Sequence, residues 1–190
     1  FPHWRYIIDK IVGEMRAVSC VSATQTPTRI DEMGRAYEVD VEDYVSAMVD
    51  IEGGAVAQIS SSWATRVRDD EMFTLKIDGT EGSAVAGLHS CAIQPAVATP
   101  KPVWSVDDAA LHATGLRERW MDMPDVDPFV HSYRAGWERF LLHVAEDAPF
   151  PSPLIDGAKG LQLVEACHRS RDERRWVDLP ELRAGRAAAA

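Results

Sequence analysis

The stretch YVSAMVDIEGGAVAQISSSWATR, residues 44–66, admits few folds. Two runs of alternating apolar and small polar residues flank a Gly-Gly pair, which is the pattern of a β-hairpin and not of a helix. A three-residue loop of Glu52, Gly53 and Gly54, with a glycine in the left-handed region, puts Val45, Ala47, Val49 and Ile51 on one face with Ala55, Ala57, Ile59, Ser61 and Trp63. Tyr44, Ser46, Met48, Asp50, Val56, Gln58, Ser60 and Ser62 then fall on the other. A two-residue loop mixes these sets, because a slip of one residue turns every side chain over. One apolar face and one small, polar face describe an antiparallel sheet covered on one side only. The rest of the chain must then provide further strands and the covering helices.

Residues 1–14, FPHWRYIIDKIVGE, read as a helix. Pro2 suits a first helical position. Ile7, Ile8, Ile11, Val12 and Met15 recur at helical spacing as one apolar stripe, and Gly13 stands where a helix stops. His3, one turn before Ile7, is expected above that stripe rather than in solvent. RAVSCVSATQ reads as a strand and TPTRIDEMGRAYEVD as a polar loop. In EMFTLKIDG, Phe73, Leu75 and Ile77 point one way; GTEGS then turns the chain into AVAGL, and SCAIQP adds another strand. Residues 96–127 form a long excursion with little periodicity. Asp127-Pro128 and Ser152-Pro153 are helix-start signals. After the first, Phe129, Tyr133, Trp137, Phe140, Leu141 and Val144 make a stripe expected to be core. After the second comes LIDGAKGLQLVEACHRSRDERR, with Asp156 in the first turn and a solvated arginine cluster at the end. RRWVDLP reads as a short last strand, and residues 183–190 as a frayed tail. The expected architecture is one α+β domain over residues 1–182: an open-faced, mostly antiparallel β-sheet with helices packed on one face.

Charge narrows the function. Of 190 residues, 20 are Lys or Arg and 30 are Asp or Glu, a formal net charge of −10. That balance argues against nucleic acid, whose phosphates need a basic footprint, and against anionic membrane surfaces. No apolar run approaches a bilayer span. Cys20, Cys91 and Cys167 are odd in number and set among apolar residues, the usage of reduced thiols in a cytoplasmic protein. No histidine spacing suits a metal, and no Ser-His-Asp or Cys-His signature is present.

Taken in order, FPHWRYIIDKIVGE, IEGGAVAQISSSWATR, DGTEGSAVAG and DGAKGLQLVEACHRSRDERRWVDLP resemble the C-terminal domain of the Gfo/Idh/MocA family of NAD(P)-dependent oxidoreductases. The resemblance runs from Phe1 to about Pro180. It implies an α+β domain whose open sheet meets the active site and commonly a partner subunit, and a Rossmann domain standing in front of it. It also implies a catalytic histidine from an Asp-x-x-x-His segment, and by position that histidine is His3. Tyr6 departs from the family, which often has an Asp there. The cofactor implied is NAD or NADP in the full-length protein. None is expected to bind this chain alone, since no GxGxxG follows a strand and GTEG lies between strands with no helix N-terminus for a phosphate.

Each candidate has two readings. His3 is either a proton carrier or a core-edge residue packed on Trp4 and Ile7. Trp63, Arg66 and Arg68, which close the hairpin, either line a sugar or acid pocket or are a strand-end core residue with solvated neighbours. The function follows the same fork. One branch is the substrate-binding and oligomerisation domain of an oxidoreductase acting on a sugar, inositol or related polyol hydroxyl, self-associating through the open sheet face. The other is a stand-alone, non-catalytic binding or dimerisation module without a cofactor domain.

Overall fold

The alternating hairpin folds as its pattern requires. The computed structural model describes residues 2–65, 71–99, 119–124 and 131–182; Arg66, Arg68 and the tail at 183–190 lie outside them. The described elements are α1 (Pro2–Ile11), β1 (Met15–Ala23), β2 (Thr28–Ile30), β3 (Ala36–Glu38), β4 (Tyr44–Ile51), β5 (Val56–Ser62), β6 (Leu75–Gly79), β7 (Gly82–Ala86), β8 (Cys91–Pro95), a 3₁₀ turn (Ala96–Ala98), β9 (Met121–Asp122), α2 (Ser132–Glu146), α3 (Leu154–Glu173) and β10 (Val177–Asp178). Every described strand pair is antiparallel.

The chain divides into two compact units. Phe1–Thr65 and Gly136–Ala190 form the first, and Arg66–Ala135 the second. The first holds a four-stranded sheet in the order β10-β1-β4-β5. Its hairpin pairs Asp50 with Val56, and the Ile51 N–H donates to the Ala55 carbonyl at 3.0 Å, leaving Glu52, Gly53 and Gly54 as the loop. Gly53 and Gly54 both take positive φ, 85° and 88°, where a Cβ is disfavoured. Val18 and Cys20 of β1 oppose Val49 and Ala47 of β4, so they share a face with Ile59. That face meets Leu163, Ala166, Cys167 and Ser170 of α3 in the core. Val18, Val49, Ile51 and Leu163 are fully buried, each stabilising the fold by about 1.5–3 kcal/mol relative to exposure. The opposite face carries no helix among the described residues; Val21, Met48 and Val56 are exposed there.

The second unit holds the sheet β6-β7-β8-β9. GTEG is a tight turn between β6 and β7, with Gly79 opposite Gly82. A Cβ on Gly82 would lie 2.5 Å from the Gln94 carbonyl oxygen, so only glycine lets β7 approach β8 there.

Three expectations change. TPTRIDEMGRAYEVD is not a plain loop: β2 and β3 pair in it as a two-stranded ribbon, closed by Asp31, whose Oδ1 accepts from the Met33 and Arg35 N–H groups at 2.9 Å. Three-residue strands are too short to leave a readable alternation. The aromatic stripe of α2 is not core, for Tyr133, Trp137, Phe140, Leu141 and Val144 are all exposed. Its rings pack on one another instead, Trp137 edge-on to Phe140 at 5.8 Å and Phe140 edge-on to Phe150 at 5.9 Å; Phe129 lies outside the described residues. The stripe of α1 is also rotated: Arg5 and Ile8 are its buried residues, and Ile11 is 59% exposed.

Candidate functional site

The rotation of α1 has a polar cause. Arg5 is only 3% exposed, and its guanidinium is spent inside the protein. Nε donates to Asp9 Oδ2 at 3.0 Å, and Nη1 donates to the Lys159 carbonyl and to Gln162 Oε1, both at 3.3 Å. Asp9 also accepts the Met15 N–H at 3.2 Å, fixing the step from α1 into β1. Lys159 of α3 donates to Glu14, and the hydrogen bond holds that carboxyl below the usual carboxylate range. The Lys10 ammonium lies 3.4 Å from Asp156 Oδ2. A Cβ on Gly160 would lie 3.2 Å from Pro2 Cβ, so a glycine in α3 lets the start of α1 come close. Buried charges persist only when paired and hydrogen-bonded, so this seam locks the azimuth of α1 on α3.

The lock decides where His3 goes. Arg5 is two residues further on, roughly 200° around the helix, so an inward Arg5 sends His3 outward. His3 is exposed, and among the described residues no hydrogen bond or ion pair holds its ring. The expectation that it lies above a buried stripe is therefore corrected. The apolar spacing predicted a stripe of isoleucines, whereas a buried arginine claims the inner face. Only the partners at 159 and 162 reveal that, and they are 154 and 157 residues away.

Trp63 follows β5 and is 93% exposed, so the reading of it as core is overturned. Its backbone N–H donates to the Asp43 carbonyl at 2.9 Å. The Asp43 side chain is enclosed and accepts from the Gln25 N–H at 2.7 Å, the Thr26 N–H at 2.9 Å and Arg29 Nη2 at 3.2 Å. These bonds, the one from Gln25 first, hold its carboxyl below the ordinary value. Asp43 thus ties the β2–β3 ribbon to the strand end that carries Trp63, a part that an isolated Asp in a polar run does not announce.

Three arginines at the end of α3 are ion-paired: Arg169 meets Glu173 at 3.5 Å, Arg171 meets Asp172 at 2.7 Å and Glu42 at 3.8 Å, and Arg175 meets Glu173 at 2.5 Å. Cys20 and Cys167 are buried together and all three cysteines are free. Among the described residues no group of three or more His, Cys, Asp or Glu could hold a metal. GTEG is the tight turn between β6 and β7, with no helix behind it. Among the described residues, no helix is long and apolar enough to cross a membrane.

Comparison with known proteins adds the remaining findings. The profile of an oxidoreductase family's C-terminal alpha/beta domain, that of Gfo/Idh/MocA proteins, matches residues 2–179. A D-xylose dehydrogenase of Paenarthrobacter nicotinovorans is 38% identical over 186 residues, covering 96% of this chain and 47% of that protein. Among solved structures, a levoglucosan dehydrogenase in complex with NADH and L-sorbose superposes with a TM-score of 0.73 at 22% identity, over 94% of this chain and 49% of that one. An oxidoreductase domain protein from Kribbella flavida gives 0.73 at 16%, over 95% and 48%. The chain spans about half the length of these relatives.

Proposed function

This chain belongs to the Gfo/Idh/MocA oxidoreductase family, as its C-terminal alpha/beta domain, and from that premise we propose that it is the substrate-binding and oligomer-forming part of an NAD(P)-dependent enzyme that oxidises a hydroxyl of a sugar, inositol or related polyol. The observation that carries the reading is the 38% identity, across nearly the whole chain, to a D-xylose dehydrogenase. The dinucleotide is bound by a Rossmann domain of the whole protein and not by this chain. No observation favours the alternative of a stand-alone module.

Oxidising an alcohol requires that the hydroxyl proton leave as hydride departs from the adjacent carbon. His3 accepts that proton. An exposed imidazole with no partner is free to meet a substrate, and the Arg5 seam keeps it from swinging into the core. The Trp63 ring offers an apolar platform to a sugar, and Arg66 and Arg68 follow it in sequence as N–H donors to hydroxyl or carboxylate oxygens. Self-association uses the helix-free sheet face.

The test is turnover of the whole protein with a panel of sugars and inositols, followed as NADH or NADPH production. His3→Asn keeps size and hydrogen bonding while removing the titratable proton. It should lower kcat by at least about tenfold, the low end for a positioned base. Unchanged kcat with a lowered melting temperature would make His3 a packing residue.

A further inference from the structure

Two of the three cysteines meet inside the first unit, and the function proposed above uses neither. Cys20 of β1 and Cys167 of α3 are 6% and 7% exposed. Helix and strand are fixed to each other at two points beside the pair. The Cys20 N–H donates to Ser170 Oγ at 2.9 Å, and Ser170 lies one helical turn beyond Cys167 on the same buried face. Two residues further along β1, Ser22 Oγ accepts from Arg171 Nη1 at 3.3 Å. Residues 167–171 of α3 therefore ride over residues 20–22 of β1, and the two thiols share a hydrogen bond between the layers.

The two sulfurs are not equivalent. The hydrogen bond from Cys167 holds the Cys20 thiol below its ordinary value, and the Arg171 guanidinium adds to the effect against burial and the Glu42 carboxylate. The same hydrogen bond and burial push the Cys167 thiol up. Cys20 is thus the better thiolate and Cys167 the S–H donor beside it. A thiolate is the form that attacks peroxides, and a second thiol within reach resolves the product to a disulfide. The two pieces of backbone are already held together by Ser170 and Arg171, so the pair needs no long search to meet.

We propose that Cys20 and Cys167 are a redox-sensitive pair that closes into a disulfide between β1 and α3 on exposure to hydrogen peroxide and reopens with a thiol reductant. The Cys20 thiolate attacks one peroxide oxygen and the O–O bond breaks. The other oxygen leaves as hydroxide and takes up the proton that Cys20 gave up, forming water. The Cys167 sulfur then attacks the sulfenic acid on Cys20. An S–S bond forms, the S–O bond breaks, and the hydroxyl leaves with the Cys167 proton as a second water. Two thiols lose two electrons and two protons, and one peroxide becomes two waters. The bond pins the covering helix to the strand beneath it and closes a loop through most of the chain, the kind of cross-link that most constrains an unfolded chain. None of this rests on the oxidoreductase reading, and none of its measurements uses turnover.

The experiment treats the folded protein with hydrogen peroxide, blocks the remaining thiols and maps the peptides without reductant. The intact mass should fall by two hydrogens, and Cys20 and Cys167 should be recovered in one cross-linked peptide pair. Cys91, on β8 of the second unit, is the internal control and should be recovered as a blocked thiol. Dithiothreitol should restore all three thiols and the original mass. The oxidised protein should melt higher than the reduced one by roughly 5 °C or more. In Cys167→Ser the Cys20 sulfur has nothing to resolve it, so it should gain oxygen instead of cross-linking. If that variant fails to fold, Cys91→Ser takes its place and should still lose two hydrogens. Recovery of Cys20 and Cys167 as free thiols while Cys91 is oxidised overturns the proposal. So does their recovery as sulfinic or sulfonic acids, or a cross-link from either of them to Cys91. A Cys20–Cys167 bond that leaves the melting temperature unraised overturns the pinning of α3.

Discussion

Ser170 ties two distant pieces of backbone with one hydroxyl. Strand β10 pairs only with Ala17 and Val18 of β1, so the Cys20 N–H, facing the same way, has no strand to meet. Ser170 Oγ accepts it at 2.9 Å and donates to the Arg175 carbonyl at 2.6 Å, just past the left-handed Arg174 that ends α3. Ser170→Ala leaves a buried N–H unpaired and should cost about 1–3 kcal/mol in chemical denaturation. An unchanged midpoint would mean that water takes the hydroxyl's place. Asp43 gives a pH dependence of known sign. Its folded-state carboxyl lies below its ordinary value, so its stabilisation is present above about pH 4 and is lost as pH falls through the lower folded value. The Gln25 and Thr26 amide signals should therefore shift in acid as their acceptor protonates, and Asp43→Asn should abolish that titration. Amides that ignore both changes would contradict the assignment.

At the scale of elements, the hairpin was readable because its face, loop length and glycines all agree. Gly53 and Gly54 each hold a φ that costs a branched residue about 1–2 kcal/mol, so Gly54→Val should destabilise the first unit by that amount. A Gly54→Val chain as stable as the original would show that the loop relaxes to another turn. Much of the rest was equally legible: β1, β6, β7, β8, α3 and β10 lie where alternation, turn glycines and helix signals put them. What was not legible depended on distant partners. An apolar stripe says that a helix has a sticky side, not that anything covers it, and α2 keeps its rings outside. Arg5 reads as a surface residue until Asp9, the Lys159 carbonyl and Gln162 close around it. His3 could be picked out only by resemblance, and its outward direction follows from Arg5.

For the molecule as a whole, the helix-free sheet face sets the expected assembly. Val21, Met48 and Val56 stand exposed among serines and Gln58, the mixture of apolar and small polar groups common at interfaces. Sedimentation at rising concentration should show self-association, and Met48→Lys should reduce it by placing a charge among those residues. A strict monomer at high concentration, with mass unchanged by Met48→Lys, would overturn self-association through this face. The first unit is also built from the two ends of the chain, with the second unit spliced between them. Its central strands, β1 and β4, are made well before the helix that covers them, which is completed only at Glu173. Until then Val18, Val49 and Ile51 have no lid. A ribosome adding about 5–20 residues per second would leave that greasy sheet bare for several seconds. The nascent protein is therefore a natural client for a chaperone during that interval, and a ribosome stalled shortly before α3 would carry an aggregation-prone chain.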